Sequence, residues 1–383
     1  MAGYLLRRTV QILLTLFVFL TIVFFLVSAQ PGDITRLYSM DPSLPPETRA
    51  NLQELFGVNE PLWKQYLVHL KNTLTGNFGV SFSLYPRTVG DVILERLPRT
   101  LVLFATATVI SFYLGFALGK IIAWRRGGWV EYTSTLGGVS LYTVFTPWFG
   151  LMMIWLFAFK AGWLPIGKFL DPVVWRDAPT DSNTIFNLML ATVAGVTVVV
   201  FAVAVATKKK RLAAAPLLQA GAITVATAAV VGVWLASGVG HLAFDLVKHM
   251  ILPVATLTLI SFAGTMLLTR NSMLEVIRED HVMVARAKGL PEKVVRDKHV
   301  ARNALLPVVT SFVFSLAFAI DGGVIIESVF SWPGMGQTLV SATVSEDLPL
   351  AVGAFVFVGI FVLVAHLAAD VLYAYLDPRV RYR

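Results

Sequence analysis

The residues that could do chemistry in this chain are few and scattered. It has six histidines, and no two of them stand four positions apart, the spacing that would bring two imidazoles to one helix face as metal ligands. The chain has no cysteine, which excludes disulfides, thiolate metal sites and a cysteine nucleophile. A membrane-embedded enzyme would need a buried constellation of catalytic groups, and the sequence predicts none. The histidines are His69, His241, His249, His281, His299 and His366.

The segment Gly115–Lys120 has the outline of a phosphate-binding loop but does not meet its requirements. The spacing from the first glycine to the lysine is one residue short, and no Ser or Thr follows the lysine. The segment also lies in an apolar run with no preceding strand. Since no other stretch offers a phosphate cradle, we expect this chain not to hydrolyse ATP alone.

The most distinctive polar feature is the basic stretch 270–307, called loop 270–307 below. Good helix formers fill its first part, and Gly289 beside Pro291 is a strong stop signal. A second short helix can begin at Pro291, because a first-turn residue needs no backbone N–H, and end near Arg302. An ordinary basic loop would explain the charge but not the spacing of small residues. The candidate residues are Ala285, Arg286, Ala287, Lys288, Gly289, Leu290, Arg302 and Asn303.

The elements that hold this loop are apolar helices. The chain is 56% hydrophobic and only 14% charged, whereas soluble domains are roughly half apolar and about a quarter charged. Eight apolar runs come near or exceed the roughly 20 residues that cross a bilayer as a helix. The sequence therefore predicts an all-α integral membrane protein, a polytopic bundle of about eight transmembrane helices. The runs are Thr9–Ala29, Thr100–Gly119, Tyr132–Phe159, Ser182–Thr207, Leu212–Leu242, Met250–Thr269, Asn303–Ile320 and Leu348–Ala369.

The distribution of charge predicts the orientation of these helices. With both termini cytosolic, 20 of the 31 basic residues and 8 of the 23 acidic residues fall on the side of loop 270–307. That side then carries +12 and the opposite side −4, as the positive-inside rule requires. A net charge of +8 could indicate nucleic acid as a partner, but this one-sided distribution indicates the lipid bilayer instead.

The outer ends of the last spans carry a second group of candidate residues. Ionisable residues near a span are functional candidates by default, although water or a partner can satisfy them at the outer end. Proline and small residues after Phe330 predict a tight reversal, a re-entrant or capping loop at an outer mouth. These candidates are Asp321, Glu327, Phe330, Trp332, Pro333, Gly334 and Asp347.

The first span is followed by an external segment that runs to Arg99. Val27–Ala29 has a faint likeness to a signal-peptidase site, but the apolar run is longer than a signal core, so we expect a retained anchor. Within the segment, Trp63, Tyr66 and Leu70 lie on one stripe of an amphipathic helix. This helix could lie on the membrane, cover the outer mouth or pack on other helices.

Three motifs carry a resemblance to a known family. Residues 285–290 followed by His299 and residues 302–307 are similar to the cytoplasmic loop of peptide-type ABC importer permeases, the dipeptide and oligopeptide branch. Residues 327–336 resemble the external signature of these permeases, and residues 370–379 match their C-terminal end. The resemblance covers the chain except for residues 169–245.

The resemblance implies a fold, a role and a set of partners. The fold would be the MetI-like permease bundle, and loop 270–307 would be the coupling helix that seats in a groove of an ATPase subunit. Small residues at Ala285, Ala287 and Gly289 would then allow close approach to that surface. Expected partners are a homologous second permease, two ATPase subunits or domains and an external solute-binding protein. The chain itself would hold no cofactor, since ATP and Mg²⁺ would be bound by the ATPase subunits.

Two departures from the family pattern affect this interpretation. Met283 stands where the wider superfamily often carries a glutamate, so a glutamate contact to the ATPase is not expected. Residues 169–245 look like a hairpin of two helices inserted between the third and fourth helices of a six-helix permease. An inserted pair preserves the orientation of everything downstream. Its uniform apolarity suggests a lipid-facing position.

The resulting organisation has five segments. The expected function is ATP-driven uptake of di- or oligopeptides across a prokaryotic cytoplasmic membrane by alternating access, with nickel or oligosaccharides as alternative cargo. A secondary transporter would be expected to show an internal repeat or carboxylates at the bilayer midplane, and neither is apparent. The segments are an anchor helix (1–30), an external segment (31–99), the second and third helices (100–168), the inserted hairpin (169–245) and the permease core (246–383).

Overall fold

The structure, a computed structural model, describes residues 2–29, 46–47, 60–209, 215–318 and 323–376. Within these ranges the chain is helical, and the extended pairing is limited to an isolated antiparallel bridge between Val80 and Thr88. Asp321, most of the external segment before Glu60, the middle of the basic turn at residues 210–214 and the C-terminal residues from Asp377 lie outside the described residues.

Membrane-spanning helices dominate the described chain. Seven helices are long and apolar enough to cross a bilayer, and one helix pair, bent by 106°, makes an eighth if it counts as one span. This confirms the predicted all-α membrane protein with about eight spans. Two of the observed helices, Val89–Trp124 and Gly240–Val276, are much longer than the corresponding apolar runs, because charged residues end an apolar run without ending a helix. The chain divides into two compact units, Met1–Ile154 with Pro253–Arg383, and Trp155–Leu252.

The first unit begins with the anchor helix and a short helix packed on it. Helix α1 is Ala2–Ser28 and α2 is Leu62–Leu74. The two meet where Tyr66 Oη and Thr21 Oγ1 are 2.7 Å apart and where the His69 and Phe24 rings lie 5.6 Å apart. Burial lowers the pKa of the His69 imidazole, and its hydrogen bond to the Leu20 carbonyl only partly opposes this. One face of α2 thus packs on the C-terminal half of α1.

Helix α3, Val89–Trp124, is the central helix of this unit. Thr88 caps its start by accepting a hydrogen bond from Asp91 N. Further along, a Cβ on Gly115 would lie 2.5 Å from the Phe262 carbonyl oxygen, and one on Gly119 would lie 2.5 Å from that of Met266. The glycines that give Gly115–Lys120 its likeness to a phosphate loop therefore serve close helix packing, as small residues four apart do in membranes.

A sharp break interrupts the third span. Helix α4 is Trp129–Thr143 and α5 is Thr146–Met153, which continues into a π-helix, π1, over Ile154–Lys160. The sequence predicted one span with a kink at Pro147. The structure places the break before it, at Val144 and Phe145, because proline fits the first turn of a new helix.

The second unit contains the predicted hairpin. Helices α6, Ser182–Lys209, and α7, Ala215–Ala236, are joined near their turn by a 2.9 Å hydrogen bond from Gln219 Nε2 to Thr207 Oγ1. The connection before α6 is anchored on Asp245, whose Oδ2 accepts hydrogen bonds from Asp171 N and Trp175 Nε1.

Helix α8, Gly240–Val276, begins in the second unit and ends in the first. It leads into loop 270–307, which contains α9, Asp280–Ala287, and the single turn α10, Glu292–Val294. A π-helix, π2, over Val295–Val300 then runs directly into α11, Ala301–Phe318. The second helix of the loop was expected to end near Arg302. It instead continues as the next span, because no breaker stands between Val295 and Leu306.

The last part of the first unit holds two short helices and a long one. These are α12, Val324–Val329, α13, Met335–Val344, and α14, Leu348–Leu376. Helix α14 packs on α1 around Val356, which is buried with Leu20 and Val23. At its far end Arg8 Nε lies 3.4 Å from Asp370 Oδ2, an ion pair that ties the same two helices together.

Candidate functional sites at the two ends of the bundle

Loop 270–307 folds around a small apolar core of its own. Gly289 has φ of +71° and ends α9, with Gly289 N donating to the Arg286 carbonyl at 2.8 Å. Only glycine adopts this conformation without strain. The buried core beneath the turn joins α9, π2 and α11 to the ends of α3 and α8. Its buried members are Ala123, Met273, Val276, Val282, Ala285, Val295, Val300, Ala301 and Ala304.

Helix α9 therefore has an inner and an outer face. Ala285 is only 3% exposed and faces the core, whereas Met283 and Val284 are 65% and 52% exposed. Ala287, Lys288 and Gly289 are exposed as well. The small size of Ala285 is thus explained by packing within the subunit, which differs from the expectation that it approaches a partner. We call Met283, Val284 and Ala287 the outer face of α9.

Several polar side chains of the loop make contacts within the chain. Arg286 donates to Glu292 at 3.2 Å, and its guanidinium lies 5.6 Å from the ring centroid of Trp124. Asn303 Nδ2 lies 2.9 Å from His281 Nε2, which joins α11 to the start of α9. These contacts tie α9 to the following turn, to α3 and to α11. Leu290 packs on the core, while Arg302 is exposed.

An ion pair also links the loop to α3. Lys120 Nζ lies 3.2 Å from Asp297 Oδ1, and Arg296 donates to both oxygens of the same carboxylate. Asp297 lies in π2, the part of loop 270–307 that runs directly into α11. π-Helical turns occur frequently at functional sites. The loop is therefore connected to α8 and α11 through the chain and to α3 through a side-chain contact.

The outer candidates assemble around Glu327, which is fully buried. Its Oε1 accepts a 2.7 Å hydrogen bond from Thr100 Oγ1, and its Oε2 accepts one of 3.0 Å from Gln337 N. Burial raises the pKa of the Glu327 carboxyl, and these hydrogen bonds oppose the shift. We call Thr100, Glu327, Trp332, Gly334 and Gln337 the outer network.

The reversal after Phe330 closes this network. Trp332 is fully buried and its Nε1 donates to the Arg99 carbonyl at 3.3 Å. Gly334 is packed so closely that a Cβ would overlap the Glu327 carboxylate and the Thr100 hydroxyl. Phe330 is also buried, and Pro333 lies beside Arg96, whose Nη1 is 3.5 Å from the Pro333 carbonyl. In this conformation these buried residues hold together the reversal after Phe330 and do not line an open passage.

Asp347 lies apart from the outer network and has a capping role. Its Oδ2 accepts hydrogen bonds from Ser83 N at 2.9 Å and Ser83 Oγ at 2.7 Å, and from Ser81 Oγ. Its Oδ1 accepts one from Leu350 N in the first turn of α14. Asp347 therefore caps α14 and ties it to the connection between α2 and α3.

Sequence reasoning did not find several partners in these sites. Thr100, Arg96, Ser81 and Ser83 have no motif of their own that marks them as partners. Trp124 could have been suspected from its position at the end of an apolar helix. Among the described residues, no group of three or more His, Asp or Glu could hold a metal ion.

Two family models match the chain. The one described as "Binding-protein-dependent transport system inner membrane component" covers residues 115–382. The one described as "Binding-prot-dependent transport system membrane comp, N-term" covers residues 1–104. Together they cover both the outer network and loop 270–307.

Curated relatives are similar over their full length. The chain is 30% identical over 382 residues to the oligopeptide transport system permease protein AppB of Bacillus subtilis. It is 29% identical over 384 residues to the dipeptide transport system permease protein DppB of Escherichia coli K12, and 29% identical over 386 residues to the oligopeptide transport system permease protein OppB of Haemophilus influenzae. In each case 100% of both chains is covered.

Proposed function

Because the chain belongs to the family of inner membrane components of binding-protein-dependent transport systems, we propose that it carries di- or oligopeptides into the cell. It is a multi-pass membrane permease of the ABC importer type. The cargo assignment rests on the full-length similarity to relatives named as dipeptide and oligopeptide permeases. Neither nickel nor an oligosaccharide is favoured by any observation on this chain.

The permease works within an assembly. A homologous second permease completes the passage, two ATPase subunits bind and hydrolyse ATP with Mg²⁺, and an external solute-binding protein delivers the peptide. Both termini and loop 270–307 face the cytosol of a prokaryotic cell, an orientation supported by the +12 against −4 distribution of charge.

The two-sided helix α9 is the observation that best supports a role in coupling. A contiguous exposed apolar patch outside the membrane marks a protein contact, and Met283 and Val284 lie side by side and are more than half exposed. Methionine suits such a surface, since its flexible thioether adapts to the partner. The outer face of α9 is therefore the contact with an ATPase groove, and the inner face transmits the force to the bundle.

Alternating access follows from what α9 is attached to. When ATP draws the ATPase subunits together, α9 moves with the groove that holds it. Its core contacts and the Lys120–Asp297 pair carry that movement to α3, α8 and α11. The outer network keeps the outer end of α3 packed on α12 and α13 as the inner ends shift. The bundle then opens to the outside to receive a peptide.

Reconstitution tests this function directly. The permease, its second permease and its ATPases would be placed in vesicles, with the binding protein on one side and ATP on the other. We expect uptake of labelled di- and tripeptides that requires both ATP and the binding protein. Uptake of nickel or of an oligosaccharide in place of peptides would overturn the cargo assignment, and a lack of ATP dependence would overturn the coupling role.

A further inference from the structure

The break in the third span leaves backbone groups unpaired. Helix α4 ends at Thr143, and α5 begins at Thr146 after a bend of 106°. The last carbonyls of a helix have no partner within that helix. Among the described residues, no backbone N–H donates to the carbonyls of Leu141, Tyr142 and Thr143. The C-terminal end of α4 therefore presents three carbonyl oxygens without a backbone donor.

This break lies inside the apolar part of the membrane. Near the start of α4, Glu131 Oε1 accepts a hydrogen bond of 2.7 Å from Arg270 Nε, which places this end of α4 beside the start of loop 270–307. From Glu131 to Val144 the helix rises about 20 Å. The hydrocarbon core of a bilayer is about 30 Å thick. A helix that starts at the side of loop 270–307 is therefore interrupted before it has crossed the core.

Backbone at this depth needs a polar surrounding. Non-helical backbone is tolerated within a membrane only where protein buries it or where it lines a water-filled cavity, so it does not face lipid. Tyr142, Thr143 and Phe145 are exposed, so the described part of this subunit does not cover the break. In an importer, the passage for the cargo is the place where water enters the membrane. The break therefore belongs at the passage.

The groups at the break select a ligand of a definite class. Carbonyl oxygens at the C-terminal end of a helix attract positive charge. The aromatic rings of Tyr142 and Phe145, both more than half exposed, favour an organic cation. The stretch Tyr132–Phe159 contains no charged residue, so all acceptors at the break are neutral. A peptide carries a matching group in its N-terminal ammonium.

We propose that the break between α4 and α5 lines the passage and that its carbonyls bind the N-terminal ammonium of the peptide, an inference that rests on the proposed peptide cargo. Every unmodified peptide has this group, so the contact does not depend on the side chains of the cargo. Neutral acceptors also hold a cation without trapping it, and a passage requires binding that still permits release.

The first part of the test asks whether the break is in water. The complete transporter, turning over ATP in lipid nanodiscs, is treated with a charged thiol reagent. Thr143→Cys places a thiol at the break, and Val198→Cys, the matched control, places one in the middle of the unbroken helix α6. Both residues are exposed in the subunit. Since the reactive species is the thiolate, we expect Thr143→Cys to be labelled and Val198→Cys to resist.

The second part asks what binds there. Trialanine should slow the labelling of Thr143→Cys. N-acetyl-trialanine, which lacks the ammonium charge, should need an about tenfold higher concentration for the same effect, the scale of one hydrogen bond to a charged group. The solute-binding protein is left out of this measurement, because its own selectivity would otherwise contribute to the difference.

Three results would overturn this inference. Equal labelling, or equal resistance, of Thr143→Cys and Val198→Cys would show that the break is not distinguished by water. Labelling of Thr143→Cys that trialanine does not slow would leave no peptide at the break. Equal protection by trialanine and N-acetyl-trialanine would exclude the ammonium contact. A failure of the peptide cargo would be seen separately, as an absence of trialanine uptake by the unmodified transporter with its binding protein.

Discussion

Thr100 and Glu327 are 227 positions apart in the sequence and meet in a buried hydrogen bond of 2.7 Å. The same threonine oxygen accepts a hydrogen bond of 2.8 Å from Met335 N. One hydroxyl thus connects α3 with both α12 and the start of α13. It is the central contact of the outer network.

Removing this hydroxyl should destabilise the permease. Thr100→Val leaves Met335 N without its acceptor and the Glu327 carboxylate without one donor, at a cost of about 1–3 kcal/mol. Thr133→Val is the matched control, because the exposed Thr133 hydroxyl bonds only to carbonyls of its own helix. Thermal unfolding of the purified subunit in detergent would measure both. Equal midpoints for the two variants would contradict the described network.

The contact between α3 and α8 should be intolerant of a single methyl group. Gly119→Ala would force α3 away from the Met266 carbonyl and Thr269, with an expected cost of about 1–3 kcal/mol. Gly264→Ala, on the facing helix α8, adds its methyl group where no atom lies within 4 Å. We expect a clear fall in thermal midpoint for the first variant only. A fall of the same size in Gly264→Ala would contradict close packing at Gly119 as the cause, since alanine favours a helix more than glycine does.

The outer face of α9 should control assembly with the ATPase. Met283→Ser removes an exposed apolar side chain whose burial contributes about 1.5–3 kcal/mol, so recovery of ATPase subunits with the purified permease should fall at least tenfold. Val344→Ser is the control, since Val344 is also an exposed apolar residue but lies on α13. Ala285→Trp is not a suitable test, because it would disrupt the core of the loop first. Full ATPase recovery with Met283→Ser would contradict the assignment of this face.

The packing of α2 on α1 should weaken in acid. His69 has a pKa below its ordinary value of about 6.5. As the pH falls through about 6.5, the His69 imidazole binds a proton more readily when α2 is released from α1 than when it is packed there. The free energy that holds α2 on α1 therefore falls. Thr73 is buried and Leu74 is exposed. The quantity to measure is the rate at which an external thiol reagent labels Thr73→Cys, divided by the rate at which it labels Leu74→Cys. This ratio should rise between about pH 7.5 and about pH 5.5, and adding His69→Phe should abolish the rise.

The basic turn of the hairpin should be cytosolic. A cysteine introduced at Lys209 in this cysteine-free chain should resist a membrane-impermeant thiol reagent added to intact cells. Leu74→Cys, on the external helix α2, provides the labelled control. Breaking the cells open should expose the first position to the reagent. Equal labelling of both positions in intact cells would contradict the eight-span topology.

Local patterns in the sequence predicted the spans and the turn at Gly289 well. A run of apolar residues is a one-dimensional signal, and so is a glycine next to a proline. The orientation of individual small residues was not predictable in the same way. Alanine fits both a tight core and an exposed surface, so the sequence did not separate Ala285, which faces inward, from Ala287, which faces outward.

Contacts between distant segments account for most of the rest. The Asp347 interaction with Ser81 and Ser83 crosses more than two hundred and sixty residues. The sequence identified Asp347 as an ionisable residue near a span but offered no means of choosing its partner. Proline and small residues after Phe330 indicated a re-entrant or capping loop, but they did not indicate that Thr100 bonds to it.

The direct continuation of the loop into α11 has a mechanical consequence. The unbroken helical stretch Glu292–Leu316 contains 25 residues, which corresponds to a rod about 37 Å long. A tilt of only about 5° at one end of such a rod displaces the other end by roughly 3 Å. Close to its N-terminal end, this rod is tied to α3 by the ion pair between Asp297 and Lys120. A small rotation of this helical stretch near Asp297 therefore produces a displacement of several ångströms at its other end, near Leu316.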